Sequence, residues 1–236
     1  MDSGWNYEAH AGRLAAKFAK YCDEIECFLP LKGKVLLDVG AGGGDFLYQA
    51  RRRGARVMGL DIDLCGVRFA RDRYGIDIQP CLLEEWPPPD GGVDVVTMWE
   101  VLEHLNDPSA TIATASRVLK AGGWLLLSTP CLDSLWDRFA FVMYDLSFGR
   151  IQYPLEYRYS WTHLQLFTSN QLVRMLSIHG FEIVFQDRRT EFTYELEEYF
   201  HRVHPGIIRK ALAGLSAGLL HVFPIKNKMV VYARRA

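Results

Sequence analysis

From residue 34 onward, short apolar runs alternate with amphipathic stretches in a regular order. KVLLDVG is a Leu- and Val-rich run closing on glycine, DFLYQARRRG has helical spacing and stops at Gly54, and ARVMGLDID is a second apolar run. The sequence then predicts a helix over LCGVRFARDRYG, strands over GIDIQPC and VDVVTMWE, a helix behind Pro108 over PSATIATASRVLK, and a strand over GGWLLLSTP. Further on, SNQLVRMLSIHG reads as helix, and FEIVFQDR and KMVVYARR as the last two strands. Ahead of this series, Leu14, Phe18, Tyr21, Ile25 and Phe28 recur at helical intervals and predict an N-terminal helix over 5–29, ended by Pro30. Strands that are apolar on both faces and alternate with helices predict an α/β fold built on a doubly wound, largely parallel sheet with helices on both faces.

Two stretches interrupt the alternation. Nine aromatics fall between Trp136 and Trp161, inside an insertion over 131–162 that follows the fifth strand, with Arg138, Arg150 and Arg158 interspersed. This insertion is expected either to fold over the acceptor side of a pocket as a lid or to pack as a satellite core. As a lid it suits an apolar or ring-containing ligand that also carries an anionic group. A helical insertion over 194–223 carries Ile207, Ile208, Ala211, Leu212, Leu215, Leu219 and Val222 along one face, a pattern of core packing, of a dimer face, or of contact with a lipid-like ligand. No repeat or linker divides the 236 residues, so one domain over 1–236 with two insertions is expected, as a monomer or homodimer.

Composition narrows the partners. Lys and Arg total 27 against 28 Asp and Glu, a net charge of −1 that offers no chain-wide basic field for nucleic acid. Five scattered cysteines without a C-x-x-C pair read as reduced thiols, MDSGWNYEAH lacks a secretory pattern, and ALAGLSAGLLHVFP is shorter than the roughly 20 residues that span a bilayer. A cytoplasmic location follows as the expectation.

The strongest chemical signal is VLLDVGAGGGDFL. Gly40, Gly42, Gly43 and Gly44 stand between a strand and a helix, where backbone N–H groups can approach a ligand closely. A dinucleotide fingerprint needs Gly or Ala where this chain has Asp45. With Asp38 just before the loop, the acidic surroundings suit a ligand bearing an amino group better than a pyrophosphate. Asp61 ends the second strand, where a carboxylate can take two ribose hydroxyls. A nicotinamide-dependent reductase on the same topology is disfavoured by Asp45 and by the absence of a Y-x-x-x-K string; a silent cofactor-binding protein is a third reading.

VLLDVGAGGG, VMGLDID, VDVVTMWEVLEHLNDP, AGGWLLLSTP and HLQLFTSNQLVRMLSIHGFEIV, in that order, resemble the class I S-adenosylmethionine-dependent methyltransferases, in the group that includes the ubiquinone-biosynthesis O-methyltransferases. The resemblance implies a Rossmann-like seven-stranded sheet, mostly parallel with an antiparallel last strand, and S-adenosyl-L-methionine as cofactor. It further implies that Gly40, Gly42 and Gly44 line the methionine end, that Asp61 binds the ribose and that Ile62 packs on the adenine. Such families often place an Asp after the third strand to meet the adenine amino group. Here that position is Leu82, leaving the backbone of Leu82 and Leu83, or Glu84, for the contact.

WEVLEHL, residues 99–105, places Glu100, Glu103 and His104 at i, i+3 and i+4, one face of a helix if the stretch is helical. The strand before it delivers Trp99 and Glu100 to the carboxyl edge of the sheet, where open α/β folds bind ligands. Resembling enzymes use a Glu-x-x-Glu-His string, some with a distant His, to hold a divalent metal beside the acceptor hydroxyl. This implies Glu100, Glu103, His104 and His163 as ligands of Mg, Mn or Zn. Without metal, His104 or His163 serves as general base, with Glu100 beside them. Both routes expect O-methylation of a small acceptor.

Overall fold

The computed structural model describes residues 6–134, 141–142, 144–150, 163–190 and 226–236. The helical insertion expected over 194–223 lies outside the described residues, as does most of the aromatic insertion. Elements run in the order α1 (Tyr7–Ile25), β1 (Val35–Val39), α2 (Asp45–Arg52), β2 (Arg56–Leu60), α3 (Leu64–Tyr74), β3 (Ile78–Gln79), β4 (Val93–Trp99), α4 (Pro108–Val118), β5 (Leu119–Pro130), α5 (Ser169–Ile178), β6 (Phe181–Arg189) and β7 (Lys228–Arg235). The seven strands form one sheet in the order β3-β2-β1-β4-β5-β7-β6, with β7 antiparallel to both neighbours and the other pairs parallel.

The doubly apolar strands are explained by two cores, one on each face. Leu36, Val95, Leu126 and Val230 point to the side covered by Ile25 of α1, Phe46 and Leu47 of α2 and Val67 of α3. Their neighbours Leu37, Val96, Leu127 and Val231 point to the side covered by Ile112 and Ala115 of α4 and Leu172 and Leu176 of α5. Period-two alternation therefore yields hydrophobic residues at both phases, as a sheet covered on both faces requires.

Four elements differ from their expected form: β5 begins at Leu119, so Leu119 and Lys120 belong to it rather than to the helix expected over PSATIATASRVLK. The N-terminal helix ends at Ile25 rather than reaching Pro30, and Phe28 and Leu29 close it with N–H bonds to the Ile25 carbonyl, both 2.9 Å. The third strand shrinks to Ile78–Gln79 at the sheet edge, because Pro80 has no N–H to continue the ladder. WEVLEHL is not an α-helix. Glu100 takes a left-handed backbone (φ 58°), and only Leu102–His104 form a single 3-10 turn, so Glu100 does not share a helical face with Glu103 and His104.

Candidate functional site

The strand order reverses between β1 and β4, which opens a crevice beyond the carboxyl ends of the strands. A cavity of about 730 Å³ occupies it, within the range of small-molecule sites. Its wall includes the loop after β1, the ends of β2 and β4, the segments after β3 and β4, one side of α1, and Asn227 and Lys228 at the start of β7.

The glycine loop forms the floor. Gly40, Gly42 and Gly44 all have positive φ (70°, 52° and 76°). A Cβ at Gly40 would lie 2.5 Å from the Val101 Cγ2 atom, so the loop passes the β4 turn at a distance only glycine permits. Asp61 ties this loop to the next: its Oδ2 accepts the Gly42 N–H (2.6 Å) and its Oδ1 the Asp63 N–H (2.7 Å). Each oxygen retains a lone pair for a further donor, and Asp61 lines the cavity. Asp38 is buried at 2% exposure and accepts the Thr97 hydroxyl (2.5 Å), and desolvation pushes its carboxyl up to about 8. Asp45 opens α2, accepts the Tyr74 hydroxyl (2.7 Å) and is likewise raised by burial.

Ile62 and Leu82 follow the paired ends of β2 and β3 and are exposed at 52% and 44%, two large aliphatic side chains on the cavity wall. Leu83 is buried beside them. The Leu82 N–H turns to the Glu85 carboxylate (3.4 Å), while Glu84 Oε1 accepts the hydroxyl of Thr111 from the first turn of α4 (2.5 Å).

α1 supplies the remaining side with Tyr7, His10, Arg13, Leu14, Lys17 and Phe18. The Tyr7 hydroxyl donates to Asp63 Oδ2 (2.7 Å) and its ring stacks on Phe69. Trp99 packs edge-on against Tyr21 and Phe46 and lines the cavity; its indole N–H is buried with no hydrogen-bond partner among the described residues.

At the other end, the β4 turn gathers the ionisable groups. The Glu100 N–H bonds the Ser128 carbonyl (3.0 Å); its carboxylate accepts the Ser128 hydroxyl (2.6 Å) and pairs with Lys228 Nζ (2.8 Å). Glu103, 1% exposed, accepts the Thr129 hydroxyl (3.0 Å). Burial first, then the Glu100 charge, raises its carboxyl to about 8. The Glu103 carbonyl accepts the N–H groups of Leu164 (2.8 Å) and Gln165 (3.2 Å), which brings His163 against His104 with ring centroids 5.1 Å apart. One ligand atom each from Glu103, His104 and His163 lie within 4.8 Å of one another. Glu100, expected in the same set, stands outside it because Ser128 and Lys228 hold its carboxylate. Tyr7, Thr111 and Lys228 had no signal in the local sequence pattern; the strand order and the course of α1 bring them to the wall.

The residues present fit S-adenosylmethionine. The loop leaves backbone close to the cavity, Asp61 faces it with acceptor capacity, an unsatisfied indole donor borders it, and aliphatic side chains stand where a flat ring could lie. A family model described as a methyltransferase domain matches residues 13–186. Ubiquinone biosynthesis O-methyltransferases of Thiobacillus denitrificans and Hahella chejuensis are 37% identical over 111 residues and 39% over 113, covering 44% and 45% of this chain and 48% of each relative. The chain thus spans about half the length of these curated relatives. S-adenosylmethionine-dependent methyltransferases from Archaeoglobus fulgidus (TM-score 0.65, 16% identity, 95% of this chain and 94% of that one) and Mesorhizobium loti (0.62, 19%, 92% and 98%) share the fold. The glycine loop, the Asp61 carboxylate on the cavity wall and the matched span agree, and the chain belongs to the S-adenosylmethionine-dependent methyltransferase family.

Proposed function

We propose that the protein transfers a methyl group from S-adenosylmethionine to an oxygen of a small apolar or ring-containing acceptor, within a single domain carrying two insertions. The observation that carries this reading is the continuity of one cavity, with the glycine loop and Asp61 at one end and the Glu103, His104 and His163 cluster at the other. S-adenosylmethionine supplies, when bound, a methyl group activated by its sulfonium. The chain's own residues bind, orient and deprotonate. Asp61 takes the ribose hydroxyls, the loop seats the methionine portion, and Ile62 and Leu82 flank the base. His104 or His163 accepts the acceptor's hydroxyl proton, and alignment contributes a further 7 to 11 kcal/mol or so of barrier reduction. The names of the curated relatives support oxygen as the acceptor atom.

The cluster also supports a metal-assisted reading. A carboxylate and two imidazoles suit Mg, Mn or Zn, and an ion held by Glu103, His104 and His163 would acidify a bound hydroxyl. Isothermal titration with S-adenosylhomocysteine, followed by transfer of labelled methyl to alkyl-substituted catechols with and without chelator, tests both readings. Binding with turnover that is lost in His104→Ala and His163→Ala is the expected result. Loss on chelation and recovery with one ion selects the metal reading; chelator-resistant turnover selects the imidazole base. Binding without transfer to any hydroxyl acceptor would overturn the assigned reaction.

A further inference from the structure

We propose that Gln165 is a positioning residue, whose side-chain amide clamps the segment after His163 to the β4 turn and so fixes the His163 ring against His104. The inference rests on the role proposed above for the two histidines. Residues 163–166 belong to no helix or strand, so individual bonds decide where His163 stands. The N–H groups of Leu164 (2.8 Å) and Gln165 (3.2 Å) both go to one atom, the Glu103 carbonyl oxygen. Bonds that share one acceptor fix a point, about which the segment can still swing. They also come from the backbone, and any residue but proline provides them.

The Gln165 side chain supplies the second anchor. Its Nε2 donates to the carbonyls of Leu105 (3.1 Å) and Asn106 (3.1 Å). Both partners are acceptors, so only the nitrogen end of the amide can face them. The three acceptor residues bracket His104, one before it and two after, and a shift of His163 past His104 breaks bonds on at least one side. The turn that receives the clamp is itself held: the His104 N–H bonds the Val101 carbonyl (3.0 Å), and Asp107 caps α4 through the Ala110 N–H (2.9 Å). The result is two imidazoles with centroids 5.1 Å apart, and a misplacement of about 1 Å in such a cluster can cost on the order of 100-fold in rate.

The test uses Gln165→Leu, which removes both amide donors, and Gln165→Lys, which returns N–H donors at similar reach. Divalent copper probes the convergence of the rings without any acceptor, since imidazole pairs bind it tightly. Calorimetric titration of the unsubstituted chain should show a copper site that disappears in His163→Ala. Gln165→Leu should weaken that site roughly 10- to 100-fold, the range for residues that orient a ligand, and Gln165→Lys should recover most of the loss. Methyl transfer to alkyl-substituted catechols should follow: Gln165→Leu lowers kcat about 10- to 100-fold while S-adenosylhomocysteine affinity and the KM for S-adenosylmethionine stay unchanged, a split that general damage would not give. Unchanged copper affinity in Gln165→Leu, a loss that Gln165→Lys does not recover, or the absence of any copper site sensitive to His163→Ala overturns the proposal. If no form methylates a catechol, the proposed reaction fails, and the copper comparison alone decides the role of Gln165.

Discussion

Asp38 and Glu103 put carboxyl groups where water does not reach, one on the glycine-loop side of the cavity and one on the histidine side. Burial raises the Asp38 carboxyl from 3.8 to about 8, so between those values the folded chain keeps a proton that the unfolded chain has released. The native state then binds more protons, and the stability attributable to Asp38 is present below pH 4 and lost as pH rises toward 8. Asp38→Asn keeps an oxygen for Thr97 and removes the titration. Thermal unfolding of the two forms should agree near pH 4 and diverge up to about pH 8, with the variant the more stable; parallel curves across that range would contradict the assignment. Lys228 and Glu100 make a second residue-level case. Lys228 is 6% exposed in its side chain and Glu100 31%, so removing the cation takes its counter-charge from a partly buried carboxylate beside Glu103 that keeps the Ser128 hydroxyl. Breaking a fully buried pair costs 3–5 kcal/mol, and the partial exposure here points to about 2 kcal/mol for Lys228→Met. Denaturant unfolding should show that loss, and Glu100→Gln in the same chain should recover part of it.

At the scale of elements, α1 shows how much the sequence pattern conveys. Leu14, Phe18, Tyr21 and Ile25 mark a helix and its apolar stripe, and Tyr21 and Ile25 are buried in the core as that stripe requires. Hydrophobic spacing does not register the neighbouring face, where Tyr7, His10, Arg13 and Lys17 reach the cavity. That role depends on a contact 56 residues away, the Tyr7 hydroxyl on Asp63, whose own N–H braces Asp61. Tyr7→Phe should therefore weaken S-adenosylhomocysteine binding by roughly 2- to 10-fold, the worth of one hydrogen bond, with faster dissociation measured by stopped flow. Unchanged affinity and rate would show that α1 does not brace the Asp61 side of the cavity. WEVLEHL gives the converse lesson. Its spacing suggested convergence through a helix, but His104 meets His163 through a single 3-10 turn whose Glu103 carbonyl captures Leu164 and Gln165. Left-handed Glu100 carried no local signal, since a glutamate, unlike glycine, asparagine or aspartate, does not favour a positive φ.

Across the whole molecule, the seven strands and their order of appearance were legible, because two-sided apolar runs and the glycine loop are strong local patterns. The pinning of the chain on either side of 135–162 and 191–225 was not, because it depends on pairing between distant strands. Cys131 bridges to Phe167, and the Ser169 N–H bonds Asp133 (2.7 Å), so the excursion after β5 starts and ends at one place. β6 and β7 are antiparallel neighbours with Arg189 opposite Lys228, and the Lys226 N–H bonds the Thr190 hydroxyl (3.1 Å), so the excursion between them is likewise closed at its base. Pro130 of β5 is also paired with Lys228. Both excursions therefore spring from one rung, Pro130, Lys228 and Arg189, beside the histidine end of the cavity. Replacing residues 191–225 by a short Asn-Gly turn should preserve cooperative unfolding and S-adenosylhomocysteine affinity while changing which acceptors are methylated; loss of cofactor binding would show the base is not self-sufficient. On the proposed function, such a layout would separate inheritance of the methyl-donor chemistry from inheritance of the acceptor: a descendant chain could exchange what enters from that rung, and so acquire a new substrate, without renegotiating a single strand pairing.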